Sequence, residues 1–213
     1  MKVEKSKKQN LIIRISILAF LAAAFGAWAW LVIDGYAAAF ENGVYSGLSG
    51  LISPAVTGIM IFITDFGSSG AIVMVCAVFL ALPYTRKTFG VRAAITLAAS
   101  ALLTSALKNI VCRDRPPDVL WFITEHGYGF PSGHTLNSTA LFALIALTVW
   151  RRTKSKKSRI PMLIIAIIVP LLIGISRIYL GVHSTGDVVG GLIAGTFVAL
   201  AADTVLPSLS FDS

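Results

Sequence analysis

A chain of 213 residues that is 56% hydrophobic and only 13% charged, with a mean hydropathy of +0.81, is too apolar for a soluble domain of its length and reads as an all-α, polytopic membrane protein. Its formal charge of +8 does not point to nucleic acid, because most of the basic residues stand in short clusters between apolar runs, the pattern that sets membrane topology. The two cysteines, Cys76 and Cys112, supply neither a disulfide framework nor a metal-ligand spacing and read as packing residues.

Lys2, Lys5, Lys7 and Lys8 precede an apolar run from about Leu11 to Ile33, broken only by Arg14. The run exceeds an ordinary signal-peptide core, so an uncleaved first span is expected even though Ala37, Ala38 and Ala39 offer a small-residue cleavage site. Residues 34–66 carry Asp34, Glu41 and Asp65 but no lysine or arginine, and their mixed Gly, Ser and aromatic content predicts short interfacial helices. Further spans are expected at about 67–84 and 90–111, around a basic turn with Arg86 and Lys87, Arg92 standing just beyond it. The remaining three fall at about 134–150, 160–180 and 185–206. Between the first two of these, the run Arg151 to Arg159 reads as an anchor against anionic lipid. The expectation is a six-span bundle forming one integral-membrane domain over residues 1–213, in the cell membrane with both termini cytoplasmic. In the last span Gly186, Gly190, Gly191 and Gly195 have the spacing of close helix packing.

With that topology, Lys108, Arg113, Arg115 and Arg177 are the four of eighteen basic residues that fall at the outer ends of spans, against the positive-inside rule. Lys108 and Arg115 are seven apart and would share a helix face to within about 20° if the third span continued that far. Each cation alone could snorkel to the interface; together they repel one another unless an anion sits among them. At the same level Pro131-Ser132-Gly133-His134 opens the fourth span, and a helix N-terminus of this kind favours an anion. Then comes Ser176-Arg177, five residues, His183, three residues, Asp187. If a helix starts near Ser184, His183 and Asp187 meet on one face. Ser184-Thr185-Gly186-Asp187 is equally a capping box, in which Asp187 only satisfies backbone N–H groups. The loop residues Arg113, Asp114, Asp118, Glu125 and His126 read as solvated, with head-group contact as the alternative.

These three motifs, in this order, resemble the signature of the type 2 phosphatidic acid phosphatase superfamily: Lys108, six residues, Arg115-Pro116; Pro131 to His134; and Ser176 to Asp187. The likeness is greatest to its bacterial branches acting on phosphatidylglycerophosphate and undecaprenyl diphosphate. The resemblance implies a metal-independent lipid phosphatase of phospholipid biosynthesis, working through a phosphohistidine, with its active site at the outer face. His183 would be the nucleophile, Asp187 its orienting partner and His134 the general acid and base, while Lys108, Arg115, Arg177, Ser132 and Gly133 would hold the phosphoryl oxygens. It implies no cofactor, a membrane lipid phosphate as substrate, the bilayer as surroundings, no nucleic acid and no obligate protein partner. Two rivals remain. A proton-coupled transporter would want its ionisable groups near the bilayer midplane, not at one surface. A two-histidine, one-carboxylate metal site at His134, His183 and Asp187 would have to hold its ion among three cations.

Overall fold

The computed structural model describes residues 2–206. The side chains of Lys2, Lys5 and Lys7, and the end of the expected domain at 207–213, lie outside the described residues. Among them the helices are α1 (Lys2–Ile33), α2 (Ala38–Ser49), α3 (Pro54–Asp65), α4 (Ser69–Ala81), a single turn α5 (Pro83–Thr85), α6 (Val91–Val111), α7 (Gly133–Arg152), α8 (Lys156–Tyr179) and α9 (Thr185–Val205). A π-turn at Arg86–Gly90 feeds α6, and a short 3₁₀ turn at Asp118–Leu120 interrupts the long loop between α6 and α7. No strand occurs among the described residues.

Lys8–Ile33, Val91–Val111, Lys156–Tyr179 and Thr185–Val205 are each long and apolar enough to cross a membrane. A fifth crossing exists if α3 and α4 are one broken span, since they meet at 45° across a short break. This corrects the span expected at 67–84: α4 has only 13 residues, roughly 20 Å of helix, and needs α3 to reach further. Ser53 and Ser68 start the two helices by accepting hydrogen bonds from Val56 N and Ala71 N, so the break is capped on its α4 side.

The helix α7 lies where a span is expected but is more polar than those four. Packing against α9, α8, α6 and α4 makes it the centre of the bundle, so its apolar requirement is set by protein neighbours, not lipid. Its hydroxyls bond to carbonyls about one turn back, Ser138 to His134 O at 2.7 Å, Thr139 to Thr135 O at 2.6 Å and Thr148 to Leu144 O at 2.8 Å. Those three hydroxyls are therefore satisfied within the helix and are not left for lipid to desolvate. By contrast α8 turns Ile164, Ile167, Ile168, Leu171 and Leu172 outward, a continuous apolar face suited to acyl chains.

Glycines set the distance between α7 and α9. A Cβ at Gly191 would lie 2.9 Å from Ser132 O, one at Gly195 would lie 2.5 Å from Leu136 O, and one at Gly190 would strike the Phe130 ring at 2.6 Å. The backbones therefore touch, as the small-residue spacing predicts. Opposite the α7 N-terminus, Arg92 is buried and pairs with buried Asp203 at 2.9 Å. Arg14 and Arg151 join the same carboxylate. Just beyond the basic turn, the start of α6 carries Arg92 inward toward α9. Cys76 is buried as expected, but Cys112 is exposed, with a left-handed φ of 49° that ends α6.

Candidate active site

The α8–α9 turn brings the third motif to one point. Ser184 caps α9 and Asp187 returns a bond to Ser184 N at 3.0 Å, completing the capping box. The same carboxylate oxygen meets His183 Nδ1 at 3.2 Å. The two readings of Asp187 are therefore both present, since one carboxylate can serve a backbone N–H and a ring N–H together. Its other oxygen accepts from Arg113 Nη1 at 2.7 Å.

Arg115 Nη1 lies 3.0 Å from His183 Nε2. A guanidinium can only donate, so Nε2 carries the lone pair and Nδ1 carries the proton given to Asp187. Burial pushes the His183 imidazole down from 6.5 to about 4, against the pull of the Asp187 hydrogen bond and charge. The ring is accordingly neutral at pH 7, with its basic nitrogen facing the cations.

Arg115 does not reach this point along a helix. The helix α6 stops at Val111, so the shared face expected for Lys108 and Arg115 does not form. Instead the loop returns and clamps the guanidinium to the carbonyls of Gly127, His126 and Val182 at 2.9, 3.0 and 2.9 Å. Lys108 donates to Tyr128 O in the same loop. Arg177, 1% exposed, donates to Thr64 Oγ1 at 3.0 Å, which ties α8 to α3, while its Nε has no partner. His134 stands half-buried at the start of α7, near enough to Arg177, Glu125 and His183 to feel their charges. Ser132, expected to hold phosphoryl oxygens, is instead fully buried, and its hydroxyl caps α7 and accepts from Thr135 Oγ1 at 3.0 Å. Gly133 opens α7 beside Thr104.

Three residues outside the motifs complete the network, and two of them, Arg113 and Glu125, stand in the loop where solvation or head-group contact is expected from the sequence. Glu125 bridges Arg177, through a short bond, and Arg115 at 3.5 Å. Burial alone would raise its pKa; the charge and hydrogen bond of Arg177, with His134 and Arg115, hold it below the usual carboxylate range. An internal anion thus sits among the cations. Arg113 is the second, pairing with Glu41 at 2.7 Å as well as with Asp187. Glu41, on α2, is the third: it also accepts from Ser184 Oγ at 2.9 Å and Gly186 N at 3.0 Å. Beside His183 and these residues opens a cavity of about 240 Å³, lined also by Tyr45 and Pro117. Among the described residues no three of His, Cys, Asp and Glu converge as a metal-ligand set. The ionisable groups around His183 gather at the α8–α9 turn and the start of α7, at helix ends where a midplane transport path would not have them.

A bundle of apolar helices with a carboxylate-held imidazole facing fixed guanidiniums defines a membrane-embedded phosphatase. Residues 89–207 match the family description PAP2 superfamily, and the chain belongs to that family. It is 32% identical over 148 residues to phosphatidylglycerophosphatase B of Bacillus subtilis, covering 67% of this chain and 71% of that one. It is 28% identical over 151 residues to an undecaprenyl-diphosphatase of Sulfolobus acidocaldarius, covering 68% of each. The crystal structure of the PAP2-type phosphatidylglycerolphosphate phosphatase from Bacillus subtilis superposes with a TM-score of 0.78 at 26% identity, covering 89% of this chain and 96% of that one.

Proposed function

We propose that this protein removes the terminal phosphate of phosphatidylglycerophosphate, in phospholipid biosynthesis, and also accepts undecaprenyl diphosphate. The names of the two relatives support both substrates. The observation that carries the mechanism is the His183 ring, with Nδ1–H on Asp187 and the Nε2 lone pair turned to Arg115. Nε2 attacks phosphorus as the bond to the lipid oxygen breaks, and Asp187 stabilises the charge that forms on the ring. His134 gives a proton to the departing oxygen, then takes one from the water that cleaves the phosphohistidine and releases phosphate. Lys108, Arg115, Arg177 and the free N–H groups at Gly133 neutralise the phosphoryl oxygens, a part that metal ions take in other phosphoryl-transfer enzymes. Ser132 contributes by fixing that helix start. The carboxylate of Glu125 leaves the cations when the phosphate arrives.

The helix α7, counted with the four apolar helices and the broken α3–α4 pair, makes six spans in one membrane unit. Both termini are then cytoplasmic and the site faces outward, at head-group depth, so the lipid chains stay in the bilayer. Cysteines placed at Asp118 and Lys156 should react from the outside and the inside respectively; labelling from one side sinks the six-span reading. For the activity, phosphate release from a panel of lipid phosphates should survive excess EDTA and be inhibited by vanadate. Cleavage of soluble short-chain phosphates at least as efficiently as either long-chain lipid would overturn the substrate assignment.

A further inference from the structure

At the end of the bundle away from His183, a groove of about 550 Å³ runs between α1 and α8 over a floor of α7 and α9. Its walls are apolar, with Ile17 and Leu21 from α1, Leu163 and Ile167 from α8, and Ala143 and Ala146 on the floor. On α7 the lining extends from Thr139 to Trp150, roughly 16 Å at 1.5 Å per residue. That is close to half of the ~30 Å hydrocarbon core, the thickness of one leaflet.

The polar end of this groove is strongly positive. The Arg159 guanidinium lies 4.6 Å from the centre of the Trp150 ring and donates to the carbonyls of Thr153 and Trp150 at 2.6 and 2.7 Å. One turn beyond Leu200, which lines the groove, buried Asp203 holds Arg14, Arg92 and Arg151 at 2.8, 2.9 and 2.7 Å. Four guanidiniums against one carboxylate leave a formal +3, where low-dielectric surroundings screen little. The side chains of Arg14 and Arg151 are 29% and 34% exposed, so an incoming anion can reach them. Arg14, Ile17 and Leu21 share one face of α1 by their spacing, which aligns the charge with the groove.

The unbalanced charge calls for an anion and the groove for a hydrocarbon chain, and an anionic phospholipid of that leaflet supplies both in one molecule. We propose that this groove is a binding site for a single anionic phospholipid, its phosphate on Arg14, Arg151 and Arg159 and one acyl chain laid between α1 and α8. The site is separate from the catalytic centre and does not depend on which lipid phosphate is hydrolysed there. Basic pockets between spans at a cytoplasmic surface favour anionic head groups on the same physical grounds.

The test is native mass spectrometry of the full-length protein in detergent, with phosphatidylglycerol or phosphatidylcholine of identical chains added. The wild type should retain one phosphatidylglycerol in preference to phosphatidylcholine. Filling the floor with Ala143→Phe or Ala146→Phe should abolish that retention, with hydrolysis of a soluble phosphate ester unchanged as the measure of an intact fold. Arg159→Gln leaves the groove open and should reduce the preference for the anionic lipid about fivefold. Equal retention of the two lipids by the wild type, or undiminished retention by folded phenylalanine variants, overturns the proposal. Where a phenylalanine variant does not fold, an unchanged preference in Arg159→Gln overturns it.

Discussion

If Arg115 and Arg177 hold the phosphoryl group as proposed, the Glu125 carboxylate that pairs with both competes with it, so removing its charge should tighten oxyanion binding. In Glu125→Gln the side chain keeps its shape and one neutral acceptor but loses the charge with which it competes for Arg177 and Arg115. A hydrogen bond between charged partners is worth about 1.5–3 kcal/mol. The Arg115 contact is long at 3.5 Å, and the Glu125 side chain is 23% exposed, so solvent screening favours the low end of that range. About 1.4 kcal/mol corresponds to a tenfold change in affinity. Vanadate inhibition should therefore strengthen about tenfold, and KM for a lipid phosphate should fall in the same direction. The assay is phosphate release in detergent at fixed ionic strength, with vanadate titrated against both proteins. Unchanged or weaker vanadate inhibition in the variant would refute the competition, because a carboxylate that merely stiffens the loop gives no gain when neutralised.

Glu41→Ala should lower kcat about tenfold to a hundredfold with KM little changed if Glu41 works through Arg113, Ser184 and the α9 N-terminus, which its hydrogen bonds join; Glu41→Asp should recover part of the loss. A fall confined to KM would place Glu41 on the substrate instead. For His183 the folded pKa is depressed, so the unfolded chain binds the extra proton first as pH falls from 6.5 to about 4. Stability is fully present above 6.5 and is lost across that window by about 3 kcal/mol. Thermal midpoints of the substrate-free protein should show it, and His183→Gln should flatten the curve; parallel curves would contradict it. Gly191→Ala should separate α7 from α9 and cost at least tenfold in kcat, whereas Gly58→Ala, where a Cβ meets nothing within 4 Å, should be silent; equal effects would show that the seam does not position the site.

Much of the site was legible in the sequence because its parts are local. The capping box and the spacing of His183 and Asp187 lie within one helical turn, and the fourth-span motif sits at a helix start that any reading of Pro and Gly would find. What escaped it depends on pairs far apart in the chain. Glu41 and Arg113 meet across 72 positions and Arg92 and Asp203 across 111, and no periodicity connects them. Carboxylates met singly in a loop or an interfacial helix look solvated; only the third dimension shows which cation each one neutralises. The shared face of Lys108 and Arg115 failed for a local reason, the left-handed Cys112, which no glycine or asparagine announces. The polarity of α7 was visible, but its cause, burial at the centre of the bundle, was not.

The glycine seam between α7 and α9 divides the molecule's capacity to change. With backbones in contact, neither helix can gain a side chain at the seam without moving the other, so the spacing of the two histidine-bearing elements is held as if machined. The 112–132 loop is under a looser restriction: its Arg115 hangs from the backbone carbonyls of His126, Gly127 and Val182, which many sequences could provide. Divergence toward new head groups is therefore expected to accumulate in that loop, over a chemical step that stays the same, and a redesign of substrate preference should begin there.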